Sequence, residues 1–177
     1  MSKIAVVLTD MFEDVEYTDP AHVYKEAGHE LSVIGTEKNE VTGKQGKATV
    51  KVDQTIDQAD ENDNDALFIP GGFSPDILRA DDRFVEFAKK FVYRNKPIFA
   101  ICHGPQLLIT ADVLKGRNIT GYKSIQMDLK LAGANVFDEP VVVCGGNLVT
   151  SREPDDLPAF IEETKKILKY VKMHIRK

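Results

Sequence analysis

Short apolar runs alternate along this chain with segments whose apolar residues recur at helical spacing. "KIAVVLT" (Lys3–Thr9) is continuous and rich in β-branched residues, which predicts a strand buried on both faces. "TDPAHVYKEAGHEL" predicts a helix from about Thr18, with Asp19 as N-cap, Pro20 at the first helical position and Gly28 as the stop. "LSVIG" predicts a second strand, and the period-two alternation of "EVTGKQGKATVKVD" around a glycine turn predicts a small hairpin. "DALFIPGG" predicts a buried strand ending in a glycine pair. Phe84, Phe87, Ala88, Phe91 and Val92 mark one face of a helix. "KPIFAI" predicts another strand, and "GPQLLITADVL" and "SIQMDLKLAG" two further helices. "VVVCGGNLVTS" predicts two short strands joined at glycines. "DDLPAFIEETKKILKYVKMHI" predicts a closing helix that packs on the sheet through Phe160, Ile161, Ile167, Leu168 and Val171. Strands alternating with helices predict an α/β fold, a mostly parallel sheet with helices on both faces and right-handed crossovers. Residues 1–177 are expected to form one domain.

A chain of 177 residues can bury a core without disulfides or metals. Its two cysteines, Cys102 and Cys144, suggest neither a disulfide framework nor a CxxC motif. The net charge of −5 argues against a nucleic-acid binder and against broad attraction to anionic membranes. "IAVVLTD" runs into Asp10, Glu13, Asp14 and Glu16, too soon for a secretory leader. No apolar run reaches the roughly eighteen residues of a spanning helix. A cytoplasmic protein is the expectation.

Asp53–Asp65 holds six acids and no base, and "DENDND" within it has some likeness to a calcium loop. Counted from Asp60, the loop's glycine position is Asp65 and its bidentate glutamate position is Gly71, so a solvated acidic loop is expected instead. Lys165–Lys177 carries six Lys or Arg and no acid, and is expected to be a solvated face with favourable charge near a helix C-terminus. His22, His29 and His174 lack the spacing of paired metal ligands. Gly71 and Gly72 belong to no nucleotide-binding glycine motif. Neither a metal nor an organic cofactor is expected.

The candidate chemistry lies where "KPIFAICHGPQLL" turns from strand to helix. Ala100 and Gly104 flank Cys102 at the small-x-nucleophile-x-small spacing of a nucleophile elbow, with cysteine in place of serine. Small residues are required because the turn brings strand and helix backbones close together. The turn lifts the side chain over the C-terminal edge of the sheet, where open α/β sheets bind ligands. A helix starting directly afterwards points its first N–H groups at the sulfur, which favours the nucleophilic thiolate. The competing reading is a buried cysteine that fills space. Two other loops reach the same edge. "MFEDVEY" carries Glu13, Asp14 and Glu16, and a glutamate near the sulfur can tune the thiol. The loop after "ALFIP" carries Gly71 and Gly72, whose N–H groups can join that of His103 in an oxyanion hole.

"FEDVEY", "GHEL", "VTGKQG", "ALFIPGGFSPDILR", "KPIFAICHGPQLLI", "LKGRNIT" and "VTSREPDDLPAF", in this order, resemble the PfpI family. That family lies in the superfamily of the parkinsonism-associated deglycase and the class I glutamine amidotransferase domains. The resemblance runs from the first strand to about Phe160. It implies a flavodoxin-like fold and a homodimer or higher homo-oligomer. It also implies Cys102 as nucleophile, His103 as the adjacent histidine, Glu16 as the glutamate bonded to the cysteine with Glu13 beside it, and Gly72 and His103 as oxyanion donors. Tyr122 falls where some relatives have an active-site tyrosine. Peptidase-like relatives orient the histidine with a glutamate across a subunit interface, where this chain has the shorter Asp76. Cys144 stands where many relatives have aspartate and is expected to be a structural thiol.

An amidotransferase would need a downstream H-x-E pair, but the histidine after His103 is His174, followed by Ile175 and Arg176. Three activities remain. The first is hydrolysis of glyoxal or methylglyoxal adducts through a Cys102 thiolate, with Glu16 or His103 moving protons, as protection against aldehyde stress. The second is an intracellular cysteine peptidase that degrades damaged proteins, using Cys102, His103 and Asp76 of a neighbouring subunit. Residues adjacent in sequence seldom present side chains to each other, so His103 is expected to serve more as a backbone donor than as a base. The third is a redox-sensing chaperone in which Cys102 is oxidised without turnover. No stable nucleic-acid or membrane partner is expected.

Overall fold

The computed structural model describes residues 1–174. Ile175 of the expected closing helix, and Arg176 and Lys177 of the basic stretch, lie outside the described residues. The chain begins with β1 (Lys3–Val7), α1 (Asp14–Glu26), β2 (Glu30–Gly35), β3 (Glu40–Thr42), β4 (Thr49–Lys51), β5 (Gln54–Thr55) and β6 (Ala66–Ile69). It continues through α2 (Ser74–Arg79), α3 (Asp82–Tyr93), β7 (Ile98–Ile101), α4 (Pro105–Thr110), β8 (Asn118–Ile119) and α5 (Gln126–Leu131). It closes with β9 (Asn135–Val136), β10 (Val141–Cys144), β11 (Leu148–Ser151) and α6 (Leu157–His174).

Seven strands form the central sheet in the order β10-β11-β7-β6-β1-β2-β5. Every pairing is parallel except β10 with β11. Side chains alternate along a strand, so Ile4, Val6 and Phe68 join Tyr24 of α1 and Phe160 and Leu168 of α6 in one apolar layer. Ala5, Val7, Leu67 and Ile69 face the opposite way, towards Phe84, Phe87 and Phe91 of α3 and Leu107 and Leu108 of α4. Each large side chain so buried contributes about 1.5–3 kcal/mol. With both faces covered there is no polar alternation, which is why these strands are continuous apolar runs. The chain leaves β1 towards β2 on one side and returns to β6 on the other. The crevice at that switch lies beyond the carboxyl ends of β1, β6 and β7.

The expected hairpin is β3–β4, paired antiparallel. Several boundaries differ from expectation. Helix α1 begins at Asp14, so Asp19 is not its N-cap and Pro20 lies inside it. Pro20 forfeits one backbone bond, while Asp14 puts a carboxylate in the first turn, where the helix dipole favours it. Gly28, at φ 82°, ends the helix as expected. Helix α4 stops at Thr110 instead of reaching Leu114, and Asp112 turns the chain at φ 55°. The acidic segment is not simply solvated. Glu61 is buried and pairs with Lys90 Nζ at 3.3 Å and Arg94 Nε at 3.2 Å. Asp53 accepts from the Val33 N–H at 2.8 Å.

One carboxylate fixes the hairpin relative to α1. Asp14 is buried beneath the β3–β4 loop and accepts from the backbone N–H groups of Gln45 at 2.9 Å, Lys47 at 2.9 Å and Ala48 at 2.8 Å. A Cβ on Gly43 would collide with this carboxylate. The Lys44 N–H donates to the Phe12 carbonyl at 2.8 Å and the Met11 N–H to the Thr42 carbonyl at 2.9 Å. Burial alone would raise the Asp14 pKa, but the three N–H bonds outweigh it and hold the carboxyl below its usual value. A pKa depressed by folding gives stability that is present above the unfolded value and lost as pH falls through the folded one. Asp14→Asn is therefore expected to cost about 1–3 kcal/mol in urea unfolding at pH 7. The deficit should shrink below about pH 4, where wild type loses the same charge. An equal deficit at pH 7 and pH 3 would show that the charge does not matter.

Candidate active site

Cys102 follows β7 directly, and its backbone stands at φ 62°. That left-handed conformation costs a non-glycine residue about 1–3 kcal/mol. Surrounding backbone holds it. The Cys102 N–H donates to the Ser151 carbonyl at 3.0 Å, the Tyr122 N–H donates to the Cys102 carbonyl at 2.9 Å, and the Gly104 N–H closes the turn on the Ile101 carbonyl at 2.8 Å. A Cβ on Gly104 would sit 2.5 Å from the Ile69 carbonyl oxygen. One on Gly71 would sit 2.8 Å from Cys102 Cβ and strike the Glu16 carboxyl. The elbow expected from Ala100 and Gly104 is formed, with a thiol that is 7% exposed.

Glu16, in the first turn of α1, is fully buried. Its Oε2 accepts from the Gly71 N–H at 2.9 Å. Its Oε1 has no hydrogen-bond partner among the described residues, and the Cys102 thiol is near enough to act on the carboxyl. Burial pushes Glu16 up to about 8, its bond to the thiol opposes this, and the Glu13 carboxylate adds to it. Glu16 is therefore mainly protonated at pH 7, an uncharged carboxyl beside the thiol.

Burial also pushes the Cys102 thiol up, and an ionised Glu16 pushes it further, while the N–H groups of Gly72 and His103 at the sulfur pull it down. The two groups ionise as a coupled pair. With the proton on Glu16, its charge no longer opposes a thiolate. The expected help from a helix N-terminus is small, because α4 has only six residues and burial works against it.

His103 is closer to the chemistry than its adjacency suggested. Its Nδ1 lies 3.3 Å from Cys102 Sγ and its Nε2 lies 3.3 Å from Ser124 Oγ. The left-handed turn at Cys102 sends two consecutive side chains to one side. With the proton on Nε2 and donated to Ser124, the Nδ1 lone pair faces the thiol. Burial and then the Lys44 charge lower the His103 pKa, against the Asp76 carboxylate, so the ring is neutral at pH 7. The Tyr122 ring packs on it, with centroids 4.9 Å apart.

The remaining candidates divide. Gly72, at φ 77°, packs so tightly that a Cβ would lie 2.6 Å from the Met11 carbonyl oxygen. Glu13 does not bond the sulfur; its Oε2 holds Lys44 Nζ at 2.6 Å. Asp76 is exposed on α2 and acts on His103 of its own chain through charge alone, without a hydrogen bond among the described residues. Cys144 belongs to a separate cluster, where its Sγ accepts from Arg117 Nε and the Asn118 N–H, both at 3.3 Å. Lys44 and Ser124 were not foreseen. "TGKQG" signals a turn, but nothing local says that the turn folds over the elbow.

The sequence profile described as the DJ-1/PfpI family matches residues 2–167. The chain belongs to this family. General stress protein 18 of Bacillus subtilis is 63% identical, over 94% of this chain and 97% of its own. YraA of the same bacterium, carried as a candidate cysteine protease, is 60% identical over 94% of this chain and 98% of its own. Protein/nucleic acid deglycase 2 of Escherichia coli is 53% identical, over 94% and 97%. A solved two-domain protein of Anabaena variabilis, with DJ-1/ThiJ/PfpI-like and ferritin-like domains, superposes with a TM-score of 0.92 at 39% identity. The match covers 94% of this chain and 50% of that one, so this chain spans about half its length.

In this DJ-1/PfpI chain the buried glutamate should be visible in the reactivity of the thiol. Alkylation of Cys102 by iodoacetamide is expected to change slope near pH 8, where Glu16 loses its proton. Glu16→Gln keeps a donor but cannot ionise, so this feature should vanish. Mass spectrometry of Cys102 labelling across pH checks it; identical profiles would remove Glu16 from the site.

Proposed function

We propose that this protein is a cysteine hydrolase that repairs aldehyde damage, acting on the early adducts of glyoxal or methylglyoxal. The observation that carries the reading is the convergence on one sulfur of a neutral imidazole at 3.3 Å, a protonated carboxyl and two backbone N–H groups. His103 Nδ1 takes the thiol proton, and Cys102 bonds to the former aldehyde carbon of the adduct, displacing the amine, which leaves with that proton. The N–H groups of Gly72 and His103, now turned on the sulfur, receive the negative charge that develops on oxygen. Glu16 and His103 move protons between the adjacent carbons. Water then cleaves the resulting thioester, which returns the Cys102 thiol and releases a hydroxy acid. The balance needs no outside oxidant, because one carbon of the dicarbonyl is oxidised as its neighbour is reduced. The name of the Escherichia coli relative supports the substrate class, and that of General stress protein 18 supports a protective role.

A peptidase is the second reading, favoured by the same Cys102–His103 contact and by the name of YraA. Against it, the Nε2 of His103, which an orienting carboxylate would take, is engaged by Ser124.

Release of free amine from methylglyoxal-modified N-acetyl-lysine and N-acetyl-arginine tests the proposal. Cys102→Ser and His103→Ala are each expected to lower the rate by about a hundredfold or more. Release unaffected by Cys102→Ser, or no faster than removal of free methylglyoxal alone explains, would overturn it. Peptide cleavage that survives purification and is lost in Cys102→Ser would favour the peptidase.

A further inference from the structure

Ser124 meets the far side of the His103 ring, and the fold fastens it to the elbow. The Tyr122 N–H donates to the Cys102 carbonyl at 2.9 Å, and the Ile125 N–H closes the next turn on the Tyr122 carbonyl at 2.9 Å. Ile125 is buried in the layer that holds Leu107 and Leu129. Gln126 Nε2 donates to the Gly121 carbonyl at 3.2 Å and to Asp138 Oδ1 at 3.0 Å. A Cβ on Gly121 would press on Leu129 at 3.0 Å and on Ile125 at 3.1 Å. Ser124 is thus carried by a short packed turn bonded directly to the cysteine. Its Oγ lies 3.3 Å from His103 Nε2, while Nδ1 of the same ring lies 3.3 Å from the sulfur. The Tyr122 ring covers one face of the imidazole, with centroids 4.9 Å apart.

The direction of one bond follows from the other. Towards a thiol that carries its proton Nδ1 presents a lone pair, so the neutral ring holds its proton on Nε2. Ser124 Oγ then accepts. Nothing competes for it, because the hydroxyl makes no other hydrogen bond among the described residues. We propose that Ser124 is a positioning residue whose hydroxyl accepts from Nε2 and fixes the His103 ring with Nδ1 on the sulfur. It takes the place of the carboxylate in a triad, and it comes from the same chain as the cysteine. The exchange has a chemical consequence. A carboxylate would stabilise the imidazolium and hold its proton, whereas a hydroxyl fixes the ring without adding charge. The imidazolium therefore stays acidic, which suits a group that must pass the thiol proton on to the departing amine.

The inference rests on His103 acting as base to Cys102 in the proposed function, but its tests read the ring and the thiol without turnover. A missing hydrolase activity would overturn that function and leave this inference undecided by it. Cys102 contacts the ring, and Lys44 of the hairpin loop and Asp76 of α2 act on it through charge; the substitutions alter none of them. Ser124 is exposed, urea midpoints confirm that each variant folds, and Ser124→Glu replaces Ser124→Asp if that one does not. Ser124→Asp sets a carboxylate beside Nε2, so the His103 titration followed by NMR is expected to rise by about one unit. Ser124→Asn offers an uncharged acceptor and should keep that titration within about a third of a unit of wild type. In Ser124→Ala, iodoacetamide labelling of Cys102 at pH 7 should slow about three- to tenfold. Ser124→Thr, which keeps the hydroxyl, should restore labelling to within about twofold of wild type. An unmoved His103 titration in Ser124→Asp would overturn the proposal, as would equal shifts in Ser124→Asp and Ser124→Asn. So would labelling in Ser124→Ala that matches wild type, or equal losses in Ser124→Ala and Ser124→Thr, which would mean packing rather than the hydroxyl.

Discussion

The left-handed backbone at Cys102 is the constraint on which the rest of the structure turns. A φ of 62° is unfavourable for any side chain with a Cβ, so this residue cannot hold the conformation alone. It is held from three directions, by Ser151 at the end of β11, by the loop that carries Tyr122, and by the turn that Gly104 closes on Ile101. These supports are rigid because β7 lies between β6 and β11 and is buried on both faces. The sheet thus offsets the strain, and the result is a sulfur raised over its edge with the next side chain turned to meet it. The same turn forces strand β6 and the elbow so close that Gly71 and Gly104 have no room for a Cβ.

Placing the sulfur there creates an electrostatic difficulty. A nearly enclosed thiol is harder to ionise, and the enclosing groups include a carboxyl. The structure answers with neutrality rather than with a strong cation in contact. Burial keeps a proton on Glu16, burial and the Lys44 charge keep His103 neutral, and backbone N–H groups supply partial positive charge at the sulfur. The ammonium of Lys44 stays at one remove, held by Glu13.

What the sequence made legible follows from how each element is buried. Strands β1, β6 and β7 were plain because both faces are covered and no polar residue interrupts them. Helix α3 was plain because its phenylalanines repeat at helical spacing over twelve residues. Helices α2 and α4, at six residues each, are too short for any period to show. Pro20 misplaced the start of α1, because proline is common at a first helical turn and here sits one turn further in. At the site, Cys102 was readable because close backbone approach demands small neighbours at fixed spacing. The contact of the His103 ring with the sulfur was not readable, since its side-chain direction depends on a φ that residue types alone do not specify. Lys44 and Ser124 gave no local sign at all. Their place is a property of how loops cross the sheet edge.

The first turn of α1 shows how much that packing decides. Asp14 and Glu16 are two residues apart, both carboxylic acids, both buried. Asp14 receives three backbone N–H bonds from the hairpin loop and stays ionised below the usual range. Glu16 receives one, from Gly71, and faces a thiol, and it keeps its proton up to about pH 8. Burial acts in the same sense on both but more strongly on Glu16, so depth of burial and number of donors together decide between charge and neutrality. Their side chains leave the helix in different directions, one to the loop that carries Lys44 and the other to the elbow that carries Cys102. A single helical turn therefore fastens the hairpin loop with one carboxyl and lines the thiol with the other.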